Sequence, residues 1–166
     1  MREADMLIPI HNRKLEVITH ASVDPEVYSE VAQFRWFLHT EGYAQRTVPD
    51  PEKRRRTILM HREVLSPPQG TEIDHRNGDR LDNRRANLRA ATKAENQRNS
   101  RSRRGSSSVY KGVCWDTANG KWKATITVHR RTKHLGRYKS EREAALAYNA
   151  AALQHFGEFA RPNFVA

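Results

Sequence analysis

Cysteine occurs once, at Cys114, so no intramolecular disulfide can form and no thiolate zinc site can be assembled within the chain. Any metal must be held by oxygen or imidazole. Long apolar runs are missing too. None approaches the roughly 18 residues of a membrane span, and the amino terminus lacks a basic-then-apolar signal pattern, so the expectation is a soluble cytoplasmic chain with no membrane partner. Hydrophobic residues make up only 37% of 166, little for one large core, which favours small modules. Acidic charge is scarce: 30 Lys and Arg stand against 19 Asp and Glu, a formal +11 that points to a polyanionic partner, nucleic acid before membrane.

The excess is unevenly placed. Residues 1–70 carry ten basic and ten acidic side chains, residues 71–108 ten and five, and residues 109–166 ten and four. Attraction to a phosphate backbone should therefore come from the last hundred residues and be strongly salt-dependent. The balanced first part, residues 1–57, reads as a mixed α+β scaffold. Apolar alternation marks strands at Leu15 to Ile18 and between Trp36 and Ala44, and Asp24-Pro25 starts a helix with Val27, Val31 and Phe34 as its stripe. Pro49 to Arg56 reads as an exposed hairpin loop before a strand over Thr57 to Met60. Its cluster Lys53 to Arg56 either touches phosphate or is simply solvated, and the acids around it favour solvation. The run NSRSRRGSSS after residue 98 is polar and basic, so residues 101–108 read as a linker. Arg101, Arg103 and Arg104 either follow a DNA groove or only keep that spacer soluble.

The stretch EIDHRNGDRLDNRRANLRAATKAENQRN, from Glu72 to Asn99, holds the most chemistry. Two short strands joined by a long loop with an Asn77-Gly78-Asp79 turn lead to a helix opened by Thr92, with Glu95 completing a capping box. This ββα unit is expected to bring Asp74, His75 and Asn96 together. Phosphodiester hydrolysis needs an activated water, charge stabilisation at phosphorus and help for the leaving oxygen. An imidazole titrating near neutrality makes His75 the general base, while Asp74 and Asn96 offer hard oxygens to magnesium or manganese rather than zinc. Asn87 cannot usefully move protons and is expected to fix the loop and the orientation of His75. Arg85 and Arg89 are candidate phosphate clamps. His11, His20, His39 and His61 read as surface or packing residues.

The segment resembles the HNH nucleases through DH, NGD, DN, NLR and NQ-R-N, with His75, Asn87 and Asn96 in the signature positions. The preceding HREVL, a short helix at His61 to Leu65, is similar to homing endonucleases of bacteriophage type, and the resemblance covers residues 58–100. It implies a metal-dependent DNA endonuclease working in a bacterial host, close to the nucleoid.

From Val109 on, three alternating stretches (Val109 to Trp115, Lys121 to Val128, Thr132 to Tyr138) suit an antiparallel sheet, followed by a helix capped by Ser140 and running to about Phe156. Trp122, Ala124, Ile126 and Val128 should pack on Ala144, Ala145, Tyr148, Ala151 and Ala152. That leaves Lys121, Lys123, Thr125 and Thr127 facing outward, either towards a major groove or towards solvent. Residues 109–166 resemble the plant ethylene-response-factor DNA-binding domain through YKGVCW, GKWKATI, LGRY, EREAALAYNAAA and the closing NF. The resemblance implies DNA contacts at Lys111, Thr125, Thr127, Thr132 and His134. Where the plant domains carry arginines and a tryptophan, this chain has Lys, Cys114, Thr and His, which leaves fewer bidentate guanine contacts.

The sequence thus predicts a modular α+β chain: a central metal-dependent ββα cutter and a three-stranded sheet on one helix that reads double-stranded DNA. It predicts a monomer or weak dimer without structural zinc, and lets no protein partner be inferred. Two rivals are a DNA-binding regulator that keeps the ββα unit without turnover and a protein that binds or cuts RNA.

Overall fold

The computed structural model describes residues 6–100 and 105–165, so Arg101, Arg103 and Arg104 lie outside the described residues. The fold is mixed α+β, with sheets of five, three and two strands. It divides between Lys93 and Ala94 into two compact units. Among the described residues no helix is long and apolar enough to cross a membrane.

In the first unit, β1 (Met6–His11) pairs antiparallel with β2 (Val17–Val23). Helix α1 (Pro25–Ala32) crosses to β3 (Trp36–Leu38), parallel to β1, and β4 (Ala44–Asp50) and β5 (Arg54–Leu59) complete the sheet in the order β2-β1-β3-β4-β5. The expected strand at Leu15 to Ile18 starts two residues later, because Leu15 adopts φ 68° in the β1–β2 turn. Pro49 to Arg56 is mostly strand instead of loop. The ladder continues to Asp50 and Arg54, and the exposed arginines are tolerated because β5 is an edge with water on its open side. Pro25 begins α1 as expected, but the Asp24 side chain makes no cap; its Oδ2 accepts from the Arg85 backbone N–H at 2.6 Å.

Helix α2 (Met60–Leu65) then leads to β6 (Glu72–His75) and β7 (Leu88–Ala91), an antiparallel hairpin. Ile8, Ile10, Val23, Val31 and Trp36 share one buried cluster with Met60, Val64, Ile73 and Leu88, so the hairpin rests on the same core as the five-stranded sheet. Burying a large aliphatic side chain there contributes about 1.5–3 kcal/mol.

The second unit opens with most of α3 (Lys93–Arg98). It continues with β8 (Val113–Asp116), β9 (Lys121–Val128), β10 (Arg131–Tyr138) and α4 (Glu141–Phe156), the strands ordered β10-β9-β8 and all antiparallel. Ser140 accepts from the Arg142 N–H and Glu143 accepts from the Ser140 N–H, completing a capping box. The sheet packs on α4 as its alternation requires: Ile126 and Val128 meet Tyr148, Ala152 and Phe156, and Val113 and Ala124 meet Ala144 and Ala145. The first strand is shorter than the sequence suggests. Gly112 sits at φ 76° beneath Tyr148, where a Cβ would lie 2.1 Å from the ring, so the chain turns there before the strand begins.

Candidate active site

The hairpin register sets the site. Asp74 lies opposite Arg89 and His75 opposite Leu88. With side chains alternating, His75 shares the face of Ile73 and Leu88, turned towards α2, while Asp74 shares the other face with Arg89. His75 is only 4% exposed. Burial pushes its pKa below the ordinary value, against the opposing pull of Asn83, Asp74, Asp82 and Asp79, so at neutral pH it is the uncharged form that can accept a proton.

The loop between β6 and β7 is organised around Asp82, Asn83 and Asn87, all buried. Asn87 donates through Nδ2 to the Asp82 carbonyl at 2.7 Å and accepts through Oδ1 from the Asn77 N–H at 3.0 Å. Asn77 Nδ2 in turn donates to Asp82 Oδ2 at 2.8 Å. Burial pushes the Asp82 carboxyl up, but hydrogen bonds and charge from Arg84, with help from Asn77, outweigh it and hold its pKa below the usual range. The loop is stitched to β2: the Ser22 N–H donates to the Leu81 carbonyl at 2.9 Å and the Asn83 N–H to the Ser22 carbonyl at 2.8 Å. Asn87 therefore fixes the loop, as its position suggests, but the amide that meets His75 is Asn83, whose Oδ1 lies 3.4 Å from His75 Nε2. Asn83 Nδ2 donates to the Leu81 carbonyl at 3.1 Å, which orients Oδ1 towards the imidazole. An amide oxygen only accepts, so in this contact Nε2 of His75 is the donor.

Sequence reasoning missed the surroundings of His75. His61 on α2, read from sequence as surface or packing, is buried against the imidazole of His75, at 5.2 Å between ring centroids and 83° between planes. Tyr43 closes the group at 5.1 Å from His61 and 5.7 Å from His75. Burial, with the adjacent His75 and Arg62, drives the His61 pKa down to about 3. The only sequence signal was a histidine in the helix just upstream of the catalytic strand, in HREVL.

Two residues expected at DNA have partners within the protein. Arg89 is 7% exposed and donates to Asp74 Oδ2 from Nε at 2.8 Å and Nη2 at 2.6 Å. Lys111 precedes β8 and points inward, donating from Nζ to the carbonyls of Gln97 (3.3 Å), Arg98 (2.5 Å) and Ser100 (2.8 Å), where α3 ends. Burial and nearby Arg161 lower its pKa to about 8. In a cross-strand sequence pattern both looked outward; an acid opposite one and orphan carbonyls near the other drew them in. Arg85 is exposed, its backbone held by Asp24. On the sheet, Thr127 pairs with Thr132 and Thr125 with His134, placing these four with Lys123 and Arg137 on the face away from α4.

Asn96 lies on α3, in the second unit. That helix is held at its end by Lys111, by Arg98 stacked 5.0 Å from the Phe156 ring centre, and by Arg161 donating to the Asn99 carbonyl at 3.3 Å. Among the described residues no three His, Cys, Asp or Glu side chains form a metal-holding group. By residue type, a carboxylate such as Asp74 and an amide oxygen such as that of Asn96 suit a hard divalent ion that keeps most of its coordination for water and phosphate, and suit zinc poorly.

Residues 66–98 match the family described as HNH endonuclease. The chain is also 30% identical, over 148 residues, to an uncharacterized HNH endonuclease of Acanthamoeba polyphaga mimivirus, an alignment covering 87% of this chain and 75% of that one. The family match ends at Arg98, the last residue of α3, and neither comparison supports the expected likeness of the carboxy-terminal module to the plant DNA-binding domains.

Proposed function

Because this chain belongs to the HNH endonuclease family, we propose that it is a divalent-metal-dependent enzyme of homing type that hydrolyses phosphodiester bonds of duplex DNA. The observation that carries the reading is the setting of His75: buried, with a lowered pKa that leaves it uncharged at neutral pH, and in contact through Nε2 with Asn83. In this reading His75 takes the proton of the attacking water and becomes imidazolium. Asp79 and Asp82, which already favour the charged ring, stabilise that product. Asn87 keeps the loop in place and touches no reacting atom.

Asp74 is assigned as the carboxylate ligand and Asn96 as the amide ligand of a magnesium or manganese ion, on residue type and place in the signature. Bound there, the ion supplies charge neutralisation at the phosphate and at the leaving oxygen. Arg85 is assigned to a phosphate near the cut. The carboxy-terminal sheet is assigned to reading the duplex, with Lys123, Thr125, Thr127, Thr132 and His134 as its contacts, in a protein acting on the DNA of a phage- or virus-infected cell.

The test is nicking of supercoiled plasmid with magnesium, with and without chelator. Wild-type protein should convert it in a chelator-sensitive way, and His75→Ala should bind DNA and not cut; a His75→Ala protein that cuts as well as wild type removes the base. A second reading, a DNA-binding regulator that keeps the fold without turnover, is favoured by one observation, the guanidinium already seated on Asp74. Magnesium-dependent cleavage by wild type excludes it.

A further inference from the structure

Three rings from three different elements meet at the base. His75 ends β6, His61 is in the first turn of α2, and Tyr43 immediately precedes β4. Their centroids form a near-equilateral triangle of 5.1, 5.2 and 5.7 Å. Two of the three contacts are edge-to-face, at 69° and 83°, the arrangement in which the positive edge of one ring meets the negative face of another. The outer side of Tyr43 is covered by the Arg80 guanidinium, 4.6 Å from the ring centre and donating to the Glu41 carbonyl. A backbone bond from the His39 N–H to the Tyr43 carbonyl at 2.8 Å holds the loop that carries this ring.

We propose that His61 and Tyr43 form an aromatic cage that sets the angle of the His75 imidazole, with His61 as a positioning residue that acts through its ring and exchanges no proton with substrate. This rests on the assignment of His75 as the base. A histidine side chain has two rotatable bonds, and the contact of its Nε2 with Asn83 Oδ1 is a long one, 3.4 Å. The perpendicular contact with His61 and the tilted contact with Tyr43 resist rotation about the Cβ–Cγ bond, so that the imidazole plane keeps one orientation. A second imidazole in contact with a base suits this task only while uncharged, since a cation there would oppose the imidazolium that His75 becomes. Burial provides that condition, because it keeps His61 unprotonated throughout the range in which a nuclease works. A core requirement for volume alone would be met by leucine. Geometry between planes would not.

Three substitutions separate these roles. His61→Ala removes the ring, His61→Leu fills the space without a ring, and His61→Phe keeps an aromatic edge without nitrogens. Each is assayed for plasmid cleavage, for DNA affinity in chelator, for thermal midpoint, and for the His75 ring-proton resonances, whose ring-current shifts report the cage. His61→Phe should cleave within about threefold of wild type and keep the shifted resonances. His61→Leu should fold as stably as His61→Phe yet lose roughly ten- to a hundredfold in kcat, with unchanged affinity and displaced resonances, the size expected for misplacing a reacting group by about 1 Å. His61→Ala should lose at least as much.

If His61→Leu cleaves like wild type, the residue is packing only and the proposal is overturned. If His61→Phe is as slow as His61→Leu, a nitrogen of His61 is required and the positioning role is likewise overturned. Either result leaves the base assignment intact as long as His75→Ala is inactive, so the two readings fail separately.

Discussion

Arg89 and Asp74 face each other across the β6–β7 ladder and form a buried ion pair, with both Nε and Nη2 of the arginine directed at one carboxylate oxygen. In the proposed enzyme the same carboxylate is a metal ligand, so guanidinium and divalent ion compete for it or share it. Removing one partner of a buried pair costs about 3–5 kcal/mol because the other charge is stranded. Arg89→Leu should therefore lower the thermal midpoint markedly in chelator. Magnesium should restore more of the loss in the variant than it adds to wild type, because the ion replaces the missing positive charge. Melting curves with and without magnesium decide it, and equal responses of the two proteins would place the ion elsewhere.

Acid should unfold the first unit by a route that begins well above the carboxylate range. The folded-state pKa of His61 is about 3 and that of His75 is also lowered, while in the unfolded chain both titrate near 6.5. A depressed histidine pKa means that the unfolded state binds protons first. The stabilising contribution is whole above about pH 6.5 and is lost as pH falls towards the folded value, at up to about 1.4 kcal/mol per pH unit for each group. Denaturant midpoints measured from pH 7.5 to pH 4.5 should fall steadily, and more shallowly in His61→Phe.

Asn83 gives the pH dependence of catalysis a handle. Replacing it with Asp places a carboxylate where Nε2 now meets an amide oxygen, which favours the imidazolium. The acid limb of the kcat profile should move to higher pH in Asn83→Asp. Asn83→Leu should lose rate about tenfold or more at every pH, through loss of orientation and of the Nε2 tautomer. An unshifted limb in Asn83→Asp would show that the base is not His75.

On the outer face of the sheet, Lys123→Ala should weaken DNA binding about equally on all sequences and reduce the salt slope by about 1, the mark of one lost phosphate contact. Thr125→Val and His134→Ala should instead alter site preference with little change in slope. Quantitative binding at four salt concentrations distinguishes the two patterns.

The sequence was most legible where spacing alone decides structure. β9 and α4 run between the residues their alternation and capping indicated. Legibility failed where a side chain chose between two partners distant in the chain. Asp24 looked like a helix cap but serves the backbone of Arg85, 61 positions away. Arg89 and Lys111 looked like free cations, but register and a helix end, neither visible in a local window, claimed them. His61 was read only as a surface or packing residue, and nothing in its neighbours along the chain says that its partner is His75, since the two rings meet only through tertiary structure.

The cations that close the end of α3 also bear on how such chains can be recombined. Lys111 and Arg161 both lie beyond the Ser/Arg-rich segment that looks, in one dimension, like the natural seam for exchanging one reader for another. A chimera joined at that seam would keep the helix bearing Asn96 but strip the positive groups from its terminal carbonyls. Transplanted readers should succeed only where the incoming domain carries an equivalent lysine to dock there.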